Sequence, residues 1–276
     1  MTASRGFPRE RLRQALEPFG LDETFTLVSE LTARHGIAAR RVEFKTREAS
    51  APLAETASYG AIRKLLAAAP LPAPVRDTAL AIFANLAAAE ARVHRQPLTE
   101  VHFHEVGGID SLADIVGVAA ALAWCGPVTV YASPVPLGSG LVSCRHGRLP
   151  VPVPAVVELL TGIPVRQTEV PAELTTPTGA AVLKTVVDHF TFPGEEDGWE
   201  ITAVGSATAP APGTWKSSPI FSGFAAAAGG KNSQREMAGK DTAGSGWSAW
   251  RLPLTIAARN TSPGCGKSWS GPAPWR

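Results

Sequence analysis

Cysteine is scarce: Cys125, Cys144 and Cys265 are the only three in 276 residues, too few and too scattered for a disulfide framework. Long apolar runs are missing as well. None approaches the roughly 18 residues that a membrane-spanning helix needs, so no membrane partner is expected. The segment from Met1 to Gln14 mixes charges with few apolar residues and lacks the apolar stretch of a secretory signal. Together these absences make a cytoplasmic address the expectation. Net charge is small, +2, but unevenly spread: Ser206 to Arg276 holds eight Lys/Arg against two Asp/Glu, leaving 18 basic and 22 acidic residues before it. A basic tail is one sign of a nucleic-acid partner. Here a change of reading frame accounts for the basic tail instead, and no nucleic acid is expected.

What is present suffices for a sizeable core, since 45% of the residues are hydrophobic. Arg9 to Glu17 reads as a short helix. Phe25 to Thr46 alternates apolar and polar residues around Gly36, a strand-turn-strand pattern. Tyr59 to Leu66 and Val75 to Val93 have helical spacing, with Leu80, Ile82, Phe83, Leu86 and Ala87 as an apolar stripe. Ser111 to Trp124 reads as a buried helix and Val128 to Ala132 as a buried strand. Ser133 to Pro154, rich in Pro and Gly, reads as loop. Pro154 to Leu160 and Pro177 to Phe190 read as helices, and Ile163 to Thr168 as a strand. The alternation implies an α/β fold of mixed α+β layers, with one main domain over residues 1–205. After Gly205 the texture changes. Gly, Pro and Ser make up 27 of the last 71 residues and no apolar periodicity survives, so residues 206–276 are expected to be a low-complexity tail, disordered or out of frame.

The densest chemical segment runs from His102 to Asp114. If Val101 to Glu105 is extended, His102 and His104 share a face, about 7 Å apart, and can converge on one divalent cation. Imidazole suits nickel, zinc and copper. In the helix that follows, Asp110 and Asp114 are four residues apart and share a face. His102, His104, Asp110 and Asp114 are therefore candidate metal ligands. Glu105 is a candidate ligand, ligand-orienting group or proton acceptor. The competing reading is a packed histidine, with Asp110 as a helix N-cap and the other acids solvated.

Two further segments carry weaker signals. In Pro136 to Pro150, Cys144 and His146 share a face if extended, a soft donor pair fit for nickel or a sulfur ligand. Gly138, Ser139 and Gly140 can offer backbone N–H groups to an anion, and Arg145 and Arg148 add positive charge. A glycine turn and a small buried thiol are the ordinary alternatives. In Glu173 to Ala181, Thr176 reads as an N-cap and Pro177 as the first helical residue. Thr176, Thr178 and Gly179 can then hold an anion at the helix start, or simply cap it. Gly266-Lys267-Ser268 resembles the end of a phosphate-binding loop, but Thr261 stands where a glycine is required.

Together these segments resemble the LarC family of nickel insertion proteins. The likeness runs from about Tyr59 to Gly205 and includes AAEARVH (Ala88 to His94), HFHEVGGIDSLADIVG (His102 to Gly117), SPVPLGSGLVSCRHGRLPVPVPA (Ser133 to Ala155) and ELTTPTGAAVL (Glu173 to Leu183). The resemblance implies a lyase-class nickel chelatase. It would insert nickel into pyridinium-3,5-bisthiocarboxylic acid mononucleotide, using CTP with manganese or magnesium, to make the nickel-pincer cofactor. On that reading the 102–114 segment holds nickel, Cys144 and His146 relay it, and Arg145 with Thr176, Thr178 and Gly179 meets the anionic groups. A non-catalytic nickel-binding module, or an inactive truncated product, is the alternative.

The likeness fades at both ends. Family members begin with a strand and an acidic, glycine-rich segment, and nothing like it precedes Arg9. The nucleotide-associated C-terminal domain of the family is also missing in this frame. Read one nucleotide back, the codons for Pro219 to Phe224 and Thr255 to Trp275 admit sequences resembling family segments expected there. A frame change near Gly205 is therefore the expected source of the tail, and a C-terminal domain made in the shifted frame is a candidate partner.

Overall fold

The computed structural model describes residues 7–20, 25–34, 37–46, 58–103, 109–190, 203–208, 220–225 and 255–260. Among these are six α-helices: α1 (Arg9–Leu16), α2 (Tyr59–Ala68), α3 (Ala73–His94), α4 (Ile109–Cys125), α5 (Pro154–Leu160) and α6 (Pro177–Val186). The strands are β1 (Phe25–Arg34), β2 (Ile37–Thr46), β3 (Val128–Ala132), β4 (Val135–Leu137), β5 (Leu141–Cys144), β6 (Gly147–Pro150), β7 (Val165–Gln167), β8 (Ala203–Thr208), β9 (Ile220–Ala225) and β10 (Thr255–Asn260). The architecture is mixed α/β, as the alternation of the sequence implies.

Helix α3 organises the core. Its buried residues Val75, Ala79, Ile82, Phe83, Leu86, Ala87 and Glu90 recur every three or four positions, the stripe that a helix lays along a packed neighbour. α2, α4, α5 and α6 all pack against it. They contribute Ile62 and Leu66, Leu112, Ile115 and Val116, Val156 and Leu159, and Ala180 and Leu183. Burying each large apolar side chain contributes about 1.5–3 kcal/mol. α1 packs on α4, where Gly117 leaves room for the Leu12 side chain. α3 starts on Pro72 and Pro74, and ends where Arg95 takes a left-handed conformation at φ 50°.

The larger sheet has the order β1-β2-β8-β9-β10-β3. β1 and β2 pair antiparallel from Phe25 against Thr46 to Arg34 against Ile37, the hairpin that the alternation predicts. β9 and β10 fall inside the stretch expected to lack regular structure. Three short strands also correct the reading of Ser133 to Pro154 as loop. β4 pairs in parallel with β7, and β5 pairs antiparallel with β6. They are too short and too rich in Pro and Gly for an alternation to show. α6 stops at Val186, earlier than its apolar content suggests. The chain beyond it turns so that Ala132 N–H donates to the His189 carbonyl at 2.8 Å and Val130 N–H to Asp188 Oδ2 at 2.8 Å.

Candidate functional site

His102 sits where the chain leaves α3 and returns along the start of α2. It pairs as a single antiparallel bridge with Ser58, whose hydroxyl caps α2 by accepting from Ala61 N–H at 3.2 Å. Val101 and Phe103 are buried, and the Phe103 ring lies 6.1 Å from that of Phe83 on α3. With its two neighbours anchored inward, His102 is exposed. This is the alternation that the sequence implies for Val101 to Phe103. His104 and Glu105 lie outside the described residues. Asp110 is the second residue of α4. One turn on, Asp114 is exposed although Leu112, Ala113, Ile115 and Val116 around it are buried.

Cys144 and His146 belong to the β5–β6 hairpin. Cys144 pairs with Gly147, so Arg145 and His146 form the turn between them. The positive φ of Gly147, 93°, lets the chain close so tightly. His146 is thus presented by a turn, not by strand alternation. Both Arg145 and His146 are exposed, and Cys144 is half-buried. The other described thiol, Cys125, ends α4, and burial pushes its pKa up. It stays protonated and packs as a small apolar group.

The turn carries His146 to the end of α3. The His94 and His146 ring centroids are 5.0 Å apart, with the planes inclined at 37°. His94 Nε2 lies 3.4 Å from Glu90 Oε2, one helical turn back. Glu90 is 9% exposed, a carboxylate in a position that the stripe elsewhere fills with apolar residues. Glu90 and His94 lie in the AAEARVH segment that carries part of the resemblance, but neither is among the site residues expected from the sequence. The signal was there, because the stripe of α3 changes chemistry in its last turn. Among the described residues, no three His, Cys, Asp or Glu side chains form a ready-made metal cluster.

The two anion-binding candidates are largely occupied by the fold itself. Ser139 N–H donates to the Val170 carbonyl at 2.8 Å, and the Ser139 hydroxyl donates to the same oxygen at 3.1 Å. Gly138 is glycine because a Cβ there would run into the Ala172 carbonyl oxygen. Gly140 adopts φ 91° and accepts from Val151 N–H through its carbonyl at 3.0 Å. At α6, Thr176 Oγ1 accepts from Gly179 N–H at 3.2 Å, and the Thr176 carbonyl accepts from Ala180 N–H at 2.9 Å. Thr178 is left as the first-turn N–H for which the cap supplies no acceptor, Pro177 having none to donate.

A family model described as nickel insertion protein matches residues 2–214. Several curated proteins, provisionally named as nickel insertion proteins, are similar. One from Geobacter sulfurreducens is 44% identical over 186 residues, covering 67% of this chain and 47% of that protein. One from Wolinella succinogenes is 42% identical over 185 residues, covering 67% of this chain and 46% of the relative. One from Pelobacter propionicus is 43% identical over 202 residues, with 73% and 50% covered. The chain spans about half the length of the curated relatives it matches. No solved structure matches it significantly. None of its described helices is long and apolar enough to cross a membrane.

Proposed function

This chain belongs to the nickel insertion protein family, and from that premise we propose that it carries the metal-handling part of a nickel chelatase. The nickel is cargo, and its acceptor is pyridinium-3,5-bisthiocarboxylic acid mononucleotide, with CTP and a manganese or magnesium ion as co-reactants. His102 and His104 receive the ion together with Asp110 and Asp114, and Glu105 orients a ligand or takes up a proton. Cys144 and His146 pass nickel on to the soft sulfurs of the acceptor. Arg145 and the Thr178 N–H, beside Thr176 and Gly179, face the acceptor's anionic groups.

The observation that carries this reading is His102, turned to solvent by two buried neighbours. An exposed imidazole fixed by its own backbone suits an open coordination site better than a packed core histidine does. Asp114, exposed on an otherwise buried stretch of α4, adds a hard donor. The test is equilibrium dialysis of nickel(II) against the chain with His102→Ala and His104→Ala together. Loss of the tighter-bound nickel is expected, and undiminished binding overturns the ligand assignment.

A second reading is a nickel-binding module with no turnover of its own. The match covers about half the length of each relative, and the two readings part on turnover: this one binds nickel and releases no product.

A further inference from the structure

We propose a second holding point for the cation, formed by His94 at the end of α3 and His146 in the β5–β6 turn, with Glu90 as a positioning residue. It rests on the nickel-handling reading and adds a place and two residues that the reading lacks.

Three features converge on it. First, the buried stripe of α3 runs Val75, Ala79, Ile82, Phe83, Leu86, Ala87 and Glu90, and His94 continues it one turn later. A carboxylate and an imidazole thus replace apolar residues at the one end of the stripe that an exposed turn approaches. Second, the ring separation fits a shared ion. Nitrogen–metal bonds of about 2.0–2.1 Å with angles of about 90–109° place two imidazole centroids about 4.5–5.2 Å apart. His94 and His146 are at 5.0 Å. Third, a carboxylate backs one of the two rings. Glu90 Oε2 is 3.4 Å from His94 Nε2, the arrangement by which a carboxylate fixes the orientation of a ligating histidine. The last carbonyls of the 22-residue α3 add the negative end of the helix dipole.

No three His, Cys, Asp or Glu side chains form a metal site among the described residues, so the proposed site has two protein donors, with water completing the shell. A closed four-ligand site is structural and retains its ion. Two imidazoles with open positions filled by water hold an ion loosely enough for a sulfur ligand to take it.

The experiment uses the full chain and nickel(II) alone. Equilibrium dialysis is expected to find two equivalents of unequal affinity. His146→Ala, in an exposed turn, should remove the weaker one and leave the tighter, with the melting temperature unchanged. His102→Ala with His104→Ala should do the reverse. Copper(II) loaded into that double variant should show two coupled imidazoles by electron paramagnetic resonance, falling to one with His94→Ala. Glu90→Gln should weaken the same equivalent roughly tenfold with both imidazoles still counted. A wild-type chain that binds one equivalent, or a weaker equivalent indifferent to His94→Ala and His146→Ala, makes the pair an ordinary ring contact only and overturns this proposal while the nickel reading stands. A chain that binds no nickel overturns both.

Discussion

Gly138 shows how little freedom single residues have beside the hairpin. Its missing side chain is filled by the Ala172 carbonyl, and its own carbonyl accepts from the Gln167 amide at 2.9 Å. Gly138→Ala must therefore push two backbone segments apart. Overpacking of this kind costs about 1–3 kcal/mol or more, and a lowered urea midpoint for this variant is the measurement that checks it. At this scale His102 was legible in the sequence, because a two-residue alternation places it opposite Val101 and Phe103. Glu90 and His94 were not. A helical pattern shows that they share a face, but nothing local shows that a turn far along the chain brings a second imidazole to that face.

Among elements, the helices were read to within a few residues, since their apolar stripes repeat over several turns. Pro154 to Leu160 was read with the boundaries that α5 has. The short strands β4, β5 and β6 escaped, because three or four residues cannot establish a period and Pro and Gly argue against strands. The start of α6 illustrates the difference between a cap and a binding site. Thr176 Oγ1 accepts from Gly179 N–H, which satisfies one of the helix's orphan donors. Thr176→Ala is expected to cost about 1 kcal/mol, read as a lower melting temperature, with nickel affinity unchanged. A loss of nickel affinity in this variant would instead place the helix start in the metal path.

For the whole molecule, the decisive fact is coverage. The family match ends at residue 214, and the relatives are about twice as long as the part they share with this chain. A turnover assay with nickel, CTP and the sulfur-bearing mononucleotide separates the two readings: a nickel-bearing product in the small-molecule fraction by mass spectrometry favours the insertase, and bound nickel with no product favours the binding module. The expected frame change near Gly205 is decided by the gene's nucleotide sequence: a stop codon in the shifted frame between Ser206 and Arg276 ends the idea.

The packing of α3 has a consequence for the histidine pair. Four helices grip it, so its final turn is a fixed jaw. The β5–β6 ribbon is a two-stranded sheet of its own, packed on the core through Val142 and Leu149. On the two-histidine proposal, lengthening the ribbon's turn changes the spacing of the pair while leaving the packed core untouched.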